Sequence, residues 1–237
     1  MKLAHLGRYV KTNSVIKDKD YVTKRFRRIL RFYPTMLWGN RERKPYRSPV
    51  ERYMRDSRTA MRLFEYGINV PQVIDFSDKD LWFSFTRLDT GEQKMNDLIS
   101  VFEDPKLTFA EKLQYYREAL ELLLAIHESG ETHGDPYLKN FFRMPRNYPG
   151  RNGRVYTCDF EFARASPVPE VTDIMILTGD SIDILRGIHH DEYVTFSILD
   201  ILSEVYGELP PYPFDKRDQD FLKVRFHADQ RFFDYFA

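Results

Sequence analysis

Cysteine is almost missing from this 237-residue chain: Cys158 stands alone, so no internal disulfide can form and a reducing compartment is implied. Long apolar runs are missing too. The best of them, around Leu122–Ile126, falls far short of the roughly 18 to 20 residues that span a bilayer. The N-terminal Met1-Lys-Leu-Ala-His-Leu-Gly7 has no apolar stretch of signal-peptide length, and a cytoplasmic protein is expected. Glycine is scarce, with 11 residues, and no glycine-rich loop occurs; only Gly7 lies ahead of the first expected strands. Internal repeats and low-complexity tracts are absent. What is present, 42% hydrophobic and 30% charged residues, is ordinary for a folded chain and excludes disorder.

The formal net charge of zero conceals an asymmetry. Residues 1–66 carry 18 Lys and Arg against 6 Asp and Glu, about +12, and the remainder balances at about −12. The densest cluster is Lys24-Arg-Phe-Arg-Arg-Ile-Leu-Arg31, continued by Arg41, Arg43, Lys44 and Arg47. A basic face of this kind suits an anionic partner such as RNA or an acidic membrane surface, or else it complements the acidic remainder of the same chain.

Patterning divides the chain near residue 88. Residues 13–26 read as a hairpin around Lys17-Asp-Lys-Asp20. Four punctuating residues, Pro34, Gly39, Pro45 and Pro49, make 33–49 a loop. A helix should start at Ser48-Pro49, where serine can cap and proline suits the first turn, and stop at Gly67. Strands follow at 72–76 and 81–87. Beyond them Thr108 can cap a long helix ended by Gly130, with Leu113, Tyr116, Leu120, Leu123, Leu124 and His127 at helical spacing. A loop spans 131–142, and a turn at 147–153 leads into a strand over 155–159. Helices are expected at 171–186, 192–206 and 216–235. The fold class is α+β, with a small sheet plus one helix at 1–88 and a mainly helical region at 89–237.

The chemistry concentrates in Glu131-Thr-His-Gly-Asp-Pro-Tyr-Leu-Lys-Asn-Phe-Phe142 and Val155-Tyr-Thr-Cys-Asp-Phe-Glu161. Asp135 lies five residues before Asn140 in a loop that Gly134 allows to turn tightly. Its carboxylate can take the proton of a substrate hydroxyl and orient it for in-line attack. Asn140 and Asp159 supply a neutral and a charged oxygen, which is what magnesium (or manganese) on a nucleotide's phosphates needs. His133 is expected to prop the loop rather than act as a base. Cys158 is expected in the core, and the aromatic tail from Phe221 to Phe236 should pack on the larger region. His189-His190 beside Asp191 suggests a metal only weakly; a solvated helix start is the plainer reading.

These motifs, with Tyr21-Val-Thr-Lys-Arg-Phe26, Gly67-Ile-Asn-Val-Pro71 and His127-Glu-Ser-Gly130, resemble the protein-kinase-like superfamily over roughly residues 14–175. The similarity is to its small atypical branches: the lipopolysaccharide (Kdo) kinases, the RIO-like kinases and the kinase-like ATPases linked to tRNA threonylcarbamoylation. Lys44-Pro-Tyr-Arg-Ser-Pro49 also looks like the tRNA-linked branch. The resemblance implies two lobes with ATP between them, and a phosphotransferase whose acceptor is a sugar or lipid-linked glycan or a protein Ser/Thr. It implies Lys24 on the α/β-phosphates, Asp56 or Glu51 as the lysine's partner, with Asp56 favoured by spacing, and backbone contacts to adenine at Arg87-Leu88-Asp89. Asp173 should anchor the catalytic loop, with Asp180 as a poorer candidate. Two departures stand out. Glu161 occupies a position where many kinases have glycine, and only 13 residues separate Asp159 from Asp173, too few for a long regulatory segment. A nucleotide-turning module of an RNA-associated assembly and a nucleotide-binding scaffold without catalysis are the competing expectations.

Overall fold

The computed structural model describes residues 13–17, 21–26, 48–86, 96–144, 155–168, 170–191 and 193–237. Strands β1 (Asn13–Lys17) and β2 (Tyr21–Phe26) form the expected antiparallel hairpin, with Val15 opposite Lys24. They join β3 (Val73–Ser77) and β4 (Trp82–Thr86) in a four-stranded sheet of order β1-β2-β4-β3. Period-two alternation turns Lys24 and Phe26 to the covered face of β2, while Tyr21 and Arg25 face solvent. Thr23, on the open face, is buried through a 2.7 Å hydroxyl contact with Ser84, its partner across the ladder.

Helix α1 (Pro49–Glu65) covers the sheet, and Phe26, Tyr53 and Phe83 form the small core between them. Its start is the one read from sequence: the Ser48 hydroxyl accepts from Glu51 N–H, and Glu51 returns the bond to Ser48 N–H. Its end is set by Gly67 at φ +80, where Gly67 and Ile68 donate to the Phe64 and Leu63 carbonyls.

The helical region holds α2 (Leu98–Glu103), α3 (Phe109–Glu128), α4 (Val171–His189), α5 (Tyr193–Tyr206), α6 (Lys216–Phe226) and α7 (Gln230–Phe236). A second small sheet, β5 (Asn96–Asp97), β6 (Phe141–Arg143) and β7 (Val155–Thr157), lies against them. The main core is built from α3, α4 and α5 through Tyr116, Leu120, Leu123, Ile174, Leu177 and Ile198, and the tail closes it with Phe226, Phe232 and Phe236. A third cluster joins the two parts: Ala60 and Leu63 of α1 meet Val70, Ile126, Phe160 and Ala163.

Three expectations are corrected. The tail is two helices, because His227 turns left-handed at φ 49 and Asp229 starts a new N-terminus by accepting from Phe232 N–H. β7 ends at Thr157, so Asp159 lies beyond the strand, at φ +75. His189 and His190 close α4 rather than opening a helix, with His190 in the left-handed region at φ 51. Neither α2 nor the pairing of β5 with β6 was foreseen. No helix among the described residues is long and apolar enough to cross a membrane.

Candidate active site

Lys24 projects from β2 toward α1, and its ammonium lies 2.5 Å from Asp56 Oδ2 and 2.5 Å from Asp159 Oδ1. The partner on α1 is therefore Asp56, not Glu51, whose carboxylate is spent on the helix cap. Asp56 does a second job: its Oδ1 accepts from Phe160 N–H at 2.8 Å, so one side chain ties the lysine to the backbone following Asp159. Burial alone would lower the Lys24 pKa, but Asp159 and Asp56 more than offset it and hold the ammonium well above its ordinary value. Burial pushes Asp56 up to about 6 against the pull of Lys24. Burial also works against Asp159, yet there Lys24 wins and the carboxyl is held below its ordinary value.

The loop after α3 is shaped from α4. Asp173 accepts from His133 N–H at 2.8 Å and from Gly134 N–H at 3.1 Å, as the sequence suggested. Asp180, two turns further along the same helix, accepts from Leu138 N–H at 3.0 Å and so holds the far end of the loop as well. Gly134 sits at φ +82 with the Phe162 backbone so near that a Cβ would meet its C and O at 2.4 Å. His133 is fully buried, hydrogen-bonded through Nε2 to the Thr157 hydroxyl at 2.7 Å, with Nδ1 accepting from Asp135 N–H. Burial lowers its pKa to about 4, so it stays neutral and props the loop.

Asp135 ends up beside Asn140, which donates through Nδ2 to its carbonyl at 2.7 Å and to its carboxylate at 3.0 Å. With Nδ2 committed this way, Asn140 keeps Oδ1 as the oxygen it can offer a cation. Lys139 Nζ lies 3.5 Å from the same carboxylate. Burial raises the Asp135 carboxyl to about 6, with Lys139 pulling down and Asp159 pushing up. Asn140 is tied to the approach of Asp159 through its carbonyl, which accepts from Cys158 N–H at 3.1 Å and from the Thr157 hydroxyl at 2.9 Å. Burial pushes the Cys158 thiol far up, so it is no nucleophile.

Lys24, Asp56 and Asp159 are thus directly linked, Asp135 and Asn140 form a second linked pair, and the Asn140 carbonyl joins the two through Cys158, the neighbour of Asp159. Among the described residues no three His, Cys, Asp or Glu side chains form a protein-only metal cage. Asn140 and Asp159 fit instead a cation that completes its shell with phosphate and water oxygens. Leu88 lies outside the described residues, as do Arg27, Arg28, Arg31, Arg41, Arg43, Lys44 and Arg47 of the basic segment. Two neighbours escaped the sequence reading. Arg52, one turn before Asp56, pairs with Glu161 (Nη1–Oε2 3.2 Å), and Arg55 Nη1 donates to the Ala163 carbonyl at 2.6 Å. A charged residue on the helix face that carries Asp56 was the available signal for Arg52.

No protein-family model matches the chain. The KEOPS complex subunit Bud32 of Pyrococcus abyssi is 31% identical over an alignment of 139 residues, with 55% of this chain and 57% of that protein covered. The match thus spans little more than half the length of that curated relative. Among solved structures, WaaP in complex with acyl carrier protein superposes with a TM-score of 0.53 over 98% of this chain and 88% of that one, at 15% identity. The kinase domain of Mycobacterium tuberculosis PknI gives 0.45 over 70% and 64%, at 18% identity. The chain has the α+β, two-lobed, protein-kinase-like fold.

Proposed function

We propose that this protein is an ATP-dependent phosphotransferase, acting on a hydroxyl of a sugar, a lipid-linked glycan or a protein serine or threonine. One observation carries the reading: Lys24 bridges Asp56 and Asp159 at 2.5 Å while Asp135 and Asn140 sit in hydrogen-bond contact on an anchored loop. Phosphotransfer calls for a phosphate-binding cation, oxygens for a metal and a carboxylate base around one crevice, and this arrangement supports that reading. Residues 1–88 would form the lobe over the nucleotide, 89–237 the lobe beneath it, and the Leu88 backbone would meet adenine.

In this reading Asp135 accepts the acceptor's proton as its oxygen bonds to the γ-phosphorus and the bond to ADP breaks. A carboxyl raised to about 6 suits the task, being mostly ionised at neutral pH yet more basic than an ordinary aspartate. Lys24 neutralises the α/β-phosphates, exchanging part of its hold on Asp159 for phosphate oxygens. Asn140 and Asp159 would hold magnesium (or manganese), which when bound spreads the charge of the transferring group. His133 and Asp173 keep the loop from rearranging.

The test is transfer of labelled γ-phosphate, or ATP hydrolysis, by the wild type and by Asp135→Asn. Activity in the first and its loss in the second is expected. A wild type that neither turns over ATP nor gains thermal protection from magnesium and ATP together would end the reading.

The likeness to a KEOPS subunit favours a second reading, in which nucleotide turnover serves an RNA-associated assembly and the basic N-terminal quarter meets the RNA. Salt-dependent RNA binding that weakens when Arg27, Arg28 and Arg31 are reversed in charge is then expected. Binding that survives the reversal would remove that surface from consideration.

A further inference from the structure

Asp159 stands at φ +75, a conformation that residues other than glycine rarely adopt. Something must hold it there. Lys24 bonds its carboxylate, but under the phosphotransfer reading that ammonium is also the group that turns to phosphate, so it cannot be the sole tether. Further restraints come from α1. Asp56 takes Phe160 N–H, and one turn earlier Arg52 takes the Glu161 carboxylate at 3.2 Å. Both partners are shut away from water, with side chains 1% and 10% exposed.

We propose that Arg52 and Glu161 are a positioning pair that keeps the Asp159 turn in its metal-facing conformation, a role that rests on the phosphotransfer reading above. Three observations lead there. Glu161 stands two residues after Asp159, at the point where a glycine would leave the backbone free to turn over; a glutamate bound from α1 denies it that freedom. The pair continues a series along one helix, with Arg52 to Glu161, Arg55 to the Ala163 carbonyl and Asp56 to Phe160, so three of the four residues after Asp159 are fastened to α1. Lastly, a buried ion pair is a poor source of stability, since apolar residues of similar volume serve as well or better. Its use here therefore points to geometry rather than to folding energy. The guanidinium also balances a carboxylate that would otherwise crowd Lys24, Asp56 and Asp159 with one more negative charge.

ATP hydrolysis by Arg52→Met, Glu161→Gln and the double variant tests this, with kcat, KM for ATP and the half-saturating magnesium concentration read for each. Each single change is expected to lower kcat about 10- to 100-fold, the scale of a small misplacement at a reacting centre. KM for ATP should move by no more than ~3-fold, because uniform nucleotide binding is left alone. The double variant should be no worse than the poorer single one, because the two residues act through one bond. Independent losses that multiply would overturn the proposal, and so would Arg52→Met with wild-type kcat. A magnesium requirement shifted by Glu161→Gln but not by Arg52→Met would make Glu161 a ligand in its own right and equally overturn it. Should a single variant fail to fold with its partner's charge stranded, the double variant, which strands none, must still show the loss; wild-type kcat in it refutes the pair. An inactive wild type sinks the phosphotransfer reading and this role together, whereas an active wild type with unaffected variants sinks this role alone.

Discussion

Gly134 and Gly67 have the same backbone conformation, φ +82 and φ +80, but very different surroundings. A Cβ at Gly67 would meet nothing within 4 Å, whereas one at Gly134 would lie 2.4 Å from both C and O of Phe162. Alanine at either site pays the left-handed cost of about 1–2 kcal/mol, and at either it stiffens the unfolded chain equally. Only at Gly134 is there a collision, and it is with backbone, which cannot swing aside as a side chain can. Forcing the loop off Phe162 adds about 1–3 kcal/mol, the usual scale of overpacking. For a chain of this size each kcal/mol moves the melting temperature by about 2–4 °C. Gly134→Ala should therefore melt roughly 2–12 °C below Gly67→Ala. It should also lose ATP turnover, because Asp135 follows directly, while Gly67→Ala keeps it. Differential scanning calorimetry of the two proteins is sufficient. Equal melting temperatures would mean that the 131–142 loop does not rest on the Phe162 backbone, and the geometry around Asp135 would have to be redrawn.

Lys24→Met leaves Asp56 and Asp159 facing each other without their shared cation; ATP turnover should fall at least ~100-fold, as for loss of a group that stabilises developing charge. Near-normal turnover in a steady-state assay would argue against the phosphate role. Asp173→Ala strips the acceptor from two buried N–H groups and should destabilise by about 2–5 kcal/mol, read by urea unfolding; Asp173→Asn, which keeps an oxygen, should cost less. The acid limb of kcat/KM should have its midpoint near pH 6, because Asp135 must be a carboxylate to take the proton and its carboxyl is raised to about 6. Activity is then lost as pH falls through that value. His133, at about 4, adds nothing to that limb. A limb near pH 4 would count against Asp135 as the base.

What could be read in advance was whatever a local rule enforces. Ser48-Pro49 with Glu51, and Thr108 with Glu111, signal helix starts through short-range bonds, and both capping boxes form. Gly67 and Gly130 end helices because each takes a positive φ. The pairing of Lys24 with Asp56 over Glu51 followed from spacing, and the reason emerges only in three dimensions: Glu51 is occupied by its own cap. Hidden from sequence was everything that depends on which faces meet. Arg52 looks like one more cation in a basic quarter until Glu161, 109 residues away, comes to lie against it. Asp180 looked surplus to Asp173 because nothing local says that a loop needs an acceptor at each end. Phe221 to Phe236 kept its aromatic character through the break at His227, so composition placed it in the core while concealing the turn.

Both loop anchors belong to α4, and the loop is bonded in turn to the residues just ahead of Asp159. Asp135, Asn140 and the residues just ahead of Asp159 are thus held in one hydrogen-bonded unit, to which the first sheet contributes Lys24 and α1 contributes Asp56. The 2.5 Å contact between the Lys24 ammonium and Asp159 is where the sheet meets this unit. A pair of probes placed across that contact would report any change in its length directly.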